Sequence, residues 1–172
     1  MYKFNGFTDK ANVALNLAIK SAEEMGHTYI GSEHILLGLL KEGSGVASTV
    51  LNNLGVTADK VQSVMVKEIG VGIRSILSTD DFTPRTKRIL QISVMQAARM
   101  GHNYIGTEHL LLSLIEEDDS YAVRFLNELG AKQDDIIDKI QDLLGTDSIA
   151  DEDMSDMYGD SIIKGNMKKQ SM

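Results

Sequence analysis

Between Thr8 and Gly26 the apolar residues Ala11, Ala14, Leu15, Ala18, Ala22 and Met25 recur at intervals of three and four. That spacing gathers them on one face of an α-helix. Thr8 stands where an N-cap belongs, and Gly26 stands where a helix can end in the left-handed conformation. After the link HTYIG the pattern changes: Ile35, Leu36, Leu37, Leu39 and Leu40 cover nearly the whole helical circumference, behind Ser32 as the expected N-cap. A helix this apolar must be central and buried. A third helix is predicted from Val46, Val50, Leu51 and Leu54, closed by Gly55, and a fourth from Val61, Met65 and Ile69. No segment alternates with the period of two that a half-buried strand shows.

The same four elements then return. Sliding the chain by 75 residues aligns FTDKANVALNLAIKSAEEMGHTYIGSEHILLGLL with FTPRTKRILQISVMQAARMGHNYIGTEHLLLSLI without a gap, and eleven of the sixteen positions from Ala22 to Leu37 are identical. In the second copy Thr83 is the expected N-cap, with Pro84 at the first helical position, where its missing N–H is harmless. Thr107 takes the place of Ser32, and Gly101, Gly130 and Gly145 take those of Gly26, Gly55 and Gly70. The expected fold is all-α: a duplicated four-helix unit with eight helices, residues 1–70 and 82–145 forming one globular domain across a linker at 71–81. Residues 146–172 are polar and acidic without an apolar face, and a flexible tail is expected there. Met25, Met65, Met95 and Met100 fall at core spacing and are read as packing residues.

Composition narrows the chemistry. A net charge of −8 argues against a phosphate-backbone binder, which needs clustered cations. Cysteine is absent, which removes disulfides, thiolate metal sites and cysteine nucleophiles. The N-terminus lacks a signal-peptide pattern and no apolar run reaches the roughly 18 residues of a membrane span, so a soluble cytoplasmic protein with no membrane partner is expected.

All four histidines, His27, His34, His102 and His109, fall in the repeated motif beside Glu33 and Glu108. The HExxH spacing that aims two histidines at one metal is missing, so a His/Glu metal-dependent hydrolase is the weaker reading and backbone hydrogen bonding by the histidines the stronger. Glu33 and Glu108 open the two most apolar helices, where the helix dipole favours a carboxylate. Standing at the rim of a buried element, they are candidates for ligand contact. GVGIRS lacks the lysine of a phosphate-binding loop, and no nucleophile elbow occurs.

The paired GHxYIG[ST]EH[IL]LL cores, the two FT starts, Pro84-Arg85 and the LxxLG closures resemble the Clp N-terminal repeat, closest to the ClpC-type branch, over about residues 3 to 145. That resemblance implies two four-helix repeats about a pseudo-twofold axis, borne on a hexameric AAA+ unfoldase that feeds a Clp protease. It implies a non-enzymatic recognition domain whose partners are protein substrates and adaptor proteins, with arginine-phosphorylated substrates read by the motif glutamates Glu33 and Glu108. Thr8, Thr83 and Lys87 are the further ligand candidates, and Asn12 in the place of Lys87 makes the two sites unequal. No cofactor is expected in this chain, since Walker motifs are missing and ATP with magnesium would belong to absent AAA+ modules. A stand-alone accessory protein docking on a Clp complex is the alternative.

Overall fold

The computed structural model describes residues 1–145; the expected tail at 146–172 lies outside the described residues. The helices are α1 (Asp9–Glu24), α2 (Ser32–Glu42), α3 (Val46–Asn53), α4 (Ala58–Glu68), α5 (Pro84–Arg99), α6 (Thr107–Ile115), α7 (Tyr121–Glu128) and α8 (Gln133–Gly145), with a 3-10 turn at Thr79–Asp81. Thr8 and Thr83 cap α1 and α5 as the sequence implies, each side chain accepting from a backbone N–H three residues on. The apolar helices α2 and α6 are buried at the centre, and one continuous core draws on both units.

The units are joined by exchange. Phe7 pairs with Ile105, and Phe82 pairs with Ile30. Thr8 N–H donates to the Ile105 carbonyl at 2.9 Å, and Thr83 N–H donates to the Ile30 carbonyl at 3.1 Å. Each contact maps onto the other under the 75-residue offset, which is the signature of a twofold relation. The start of each long helix is therefore fixed by the turn of the opposite unit.

The reading of Ser32 and Thr107 as caps of their own helices is corrected. Gly31 and Gly106 are the N-caps of α2 and α6. The hydroxyls serve the other unit instead: Ser32 Oγ accepts from Ala122 N–H of α7 at 3.2 Å, and Thr107 Oγ1 accepts from Ala47 N–H of α3 at 3.1 Å. A helix start leaves several N–H groups without intrahelical partners, so an acceptor arriving from across the interface is as useful as a local one.

Candidate ligand site at the joint of the units

Glycine N-caps bring no side-chain acceptor, and the histidines fill the gap. Gly31 N–H donates to His34 Nδ1 at 2.9 Å, which leaves the ring proton of neutral His34 on Nε2. That proton is donated to His27 Nδ1 at 2.7 Å, and His27 in turn donates from Nε2 to the Gly70 carbonyl at 2.8 Å. The second unit repeats the first two steps, Gly106 to His109 at 2.9 Å and His109 to His102 at 2.8 Å. Burial, reinforced by the neighbouring ring, lowers His34 and His109 to about 3, so both stay neutral at ordinary pH.

This wiring also weighs against a metal. His102, Glu108 and His109 offer ligand atoms within 4.8 Å of one another. His109 Nδ1 is occupied by the Gly106 N–H, so coordination through Nε2 would strip the ring of its only proton and break the bond to His102. An imidazolate in a buried site is an expensive ligand.

The glutamates do not stand at a rim. Glu33 is 1% exposed and Glu108 is 0% exposed. The reason is local: Gly31 has no Cβ, and a methyl there would lie 2.7 Å from Glu33 Oε1. The Glu33 carboxylate folds into that space and accepts from Tyr29 Oη at 2.8 Å. Burial, and then the adjacent carboxylate, push the Tyr29 hydroxyl well above the usual phenol range, so it remains a donor.

Glu33 nevertheless lines a cavity of 330 Å³ that is built from both units. One side is Tyr29, Gly31 and Glu33; the other is Thr83 and Arg85 at the start of α5, with Ser120 and Tyr121 at the start of α7. Three helix N-termini therefore meet around one space, and their positive dipole ends favour an anion. Arg85 donates to Asp119 at 2.7 Å on the mouth of the cavity. Of the five candidates, the structure brings Glu33 and Thr83 to this cavity; the 75-residue offset puts Glu108 and Thr8 at the corresponding positions of the other half, with Lys10 for Arg85 and Val46 for Tyr121. Lys87 is exposed and is not among the lining residues. Asn12, its counterpart, holds the N-terminal segment by donating to the carbonyls of Phe4, Phe7 and Thr8. Arg85 and Tyr29 were missed from sequence, although a cation two residues after a Thr-Pro cap is a signal for a helix-start anion site.

The comparisons with known proteins agree with this architecture. The sequence model of the Clp repeat (R) N-terminal domain matches residues 6–75 and 81–159. The chain belongs to that family. The chaperone ClpB of Oceanobacillus iheyensis is 42% identical over 143 residues, 83% of this chain and 18% of ClpB. The ClpC/MecB negative regulator of genetic competence of Bacillus subtilis is 41% identical over 143 residues, with the same shares. The chain thus spans about a fifth of the length of these relatives. The crystal structure of the N-terminal domain of the chaperone ClpD from Arabidopsis thaliana superposes with a TM-score of 0.68 at 28% identity, covering 84% of this chain and 97% of that one. A Clp N-domain is a non-catalytic binding domain, and its all-helical fold is the one seen here. Among the described residues no helix is long and apolar enough to cross a membrane.

Proposed function

We propose that this Clp N-domain recognises protein substrates and adaptors for a cytoplasmic ClpC-type unfoldase that feeds a Clp protease, and that it reads phosphorylated arginine. The observation that carries the reading is the composite cavity, which opposes a carboxylate to a cation and two helix starts. A phosphoarginine side chain has the matching halves: a guanidino group that donates to Glu33, and a phosphoryl group that accepts from Arg85 at the positive dipole ends of α5 and α7. Glu108, Thr8 and Lys10 form the corresponding set in the other half.

Titrating free phosphoarginine into the full chain by calorimetry tests this. Two sites are expected, with Glu33→Gln and Glu108→Gln each removing one, because loss of a charge-assisted bond costs ~1.5–3 kcal/mol, or about 10- to 100-fold in affinity. Glutamine keeps the shape of the buried side chain, so both variants should remain folded by circular dichroism. Unchanged binding by the double variant would overturn the assignment of these glutamates.

A further inference from the structure

A second concavity, of 690 Å³, runs between α5, α6 and α8 of the second unit. Met100, Leu112, Ile137 and Leu144 contribute apolar floor, and Glu116, Asp118 and Asp134 stand along it. No Lys, Arg or His is among the lining residues. The equivalent place in the first unit differs in charge. Lys41 occupies the position of Glu116 and donates to Ser21 Oγ at 3.0 Å, so the charge is reversed. The chain leaving α4 runs back over the end of α1, where Gly72 N–H donates to the Met25 carbonyl at 2.9 Å and Leu77 N–H donates to the Glu23 carboxylate at 2.8 Å; the counterparts of residues 72–77 lie outside the described residues. Met25 is 5% exposed, whereas its counterpart Met100 is 37% exposed.

We infer that the α5–α6–α8 groove docks a cationic amphipathic helical segment of a partner protein, its apolar stripe on the floor and its Lys/Arg residues toward Glu116, Asp118 and Asp134. Charge complementarity selects this occupant: an apolar trough with only acidic ionisable groups disfavours an acidic or neutral segment and steers a basic one. Along α8 the lining runs from Gln133 to Leu144, ~16 Å or about three helical turns. This surface is separate from the Glu33 cavity and does not depend on phosphoarginine.

The test uses the full chain and a fluorescein-labelled peptide of about five helical turns with leucine on one face and lysine on the other, beside a twin in which every lysine is glutamate. By anisotropy the lysine peptide should bind at least about tenfold more tightly than its twin, and Glu116→Lys/Asp134→Lys should weaken it about tenfold. The charge-matched control Glu24→Lys/Asp59→Lys, on exposed residues of the first unit, should leave it unchanged. Amide shifts in NMR spectra should concentrate on α5, α6 and α8. Equal losses in the control, equal binding of the twin, or shifts located elsewhere would each overturn the proposal. A gain of tenfold or more on Lys164→Glu/Lys168→Glu/Lys169→Glu would overturn it too, because the groove would then belong to the chain's own C-terminal residues.

Discussion

Protonating His34 or His109 would put a charge where burial and a second imidazole both resist it, and would place an N–H against the N–H of a glycine cap. Both groups sit near 6.5 when unfolded and are lowered to about 3 when folded. Their contribution is therefore complete above pH 6.5 and is withdrawn as pH falls from there toward 3. Two such groups remove roughly 3–4 kcal/mol between pH 7.5 and pH 5. Urea unfolding at the two pH values should show that fall, and His34→Gln should reduce the pH dependence by about half, since a glutamine still accepts from Gly31 but does not titrate. A parent protein equally stable at both values would refute the buried, neutral pair. At this scale the sequence marked the motif residues but not how they sit. The histidines were legible as partners of the Gly turns because their spacing recurs. The burial of Glu33 was not, because it depends on a hydrogen atom in place of a side chain at Gly31 and on a tyrosine hydroxyl four residues away.

Helices of the two units share a register but not a separation. At Gly38 a Cβ would lie 2.2 Å from the Ala14 carbonyl oxygen, so α1 and α2 approach closely. The equivalent residue of α6, Ser113, donates its hydroxyl to the equivalent carbonyl, that of Ile89, at 2.5 Å. One crossing is closed by the absence of a side chain and the other is bridged by one. Gly38→Ser should therefore destabilise by about 3 kcal/mol or more despite copying the sister unit, because the carbonyl it meets is backbone and cannot swing aside. Ser113→Gly should cost about 1–2 kcal/mol through a lost hydrogen bond and a poorer helix former. Denaturant midpoints compare the two, and a Gly38→Ser protein as stable as the parent would show that α1 can retreat freely. The 3- and 4-residue stripes foretold the eight α-helices of the described residues, yet they assigned Met95 and Met100 to the core, and both are exposed, at 51% and 37%. A stripe reports which face is apolar, whereas burial also requires a neighbour to cover that face, and no local pattern encodes the neighbour.

Across the whole molecule the two halves are fastened by hydroxyls that reach from one unit to helix starts in the other. The bond from Ala47 N–H to Thr107 spans 60 residues of sequence, and that from Ala122 N–H to Ser32 spans 90, so neither could be read from a window around a helix start. Repetition itself was the legible signal, since a gap-free offset requires two copies of one fold. Thr107→Ala should cost about 1–2 kcal/mol, more than Ser32→Ala, because Gly45 gives α3 no hydroxyl of its own whereas Ser120 already caps α7. Thermal melts of the two variants would rank them, and the reverse order would contradict the borrowed cap. A polypeptide of one unit would have no Thr107 to complete α3 and no partner turn to hold Thr8, but two identical copies could supply both to each other about a true axis. The reciprocal contacts are those a symmetric homodimer would make, carried here on a single chain whose two halves can differ. Lys41 is a cation while its sister position carries Glu116, a difference that a symmetric dimer, encoded once, cannot make.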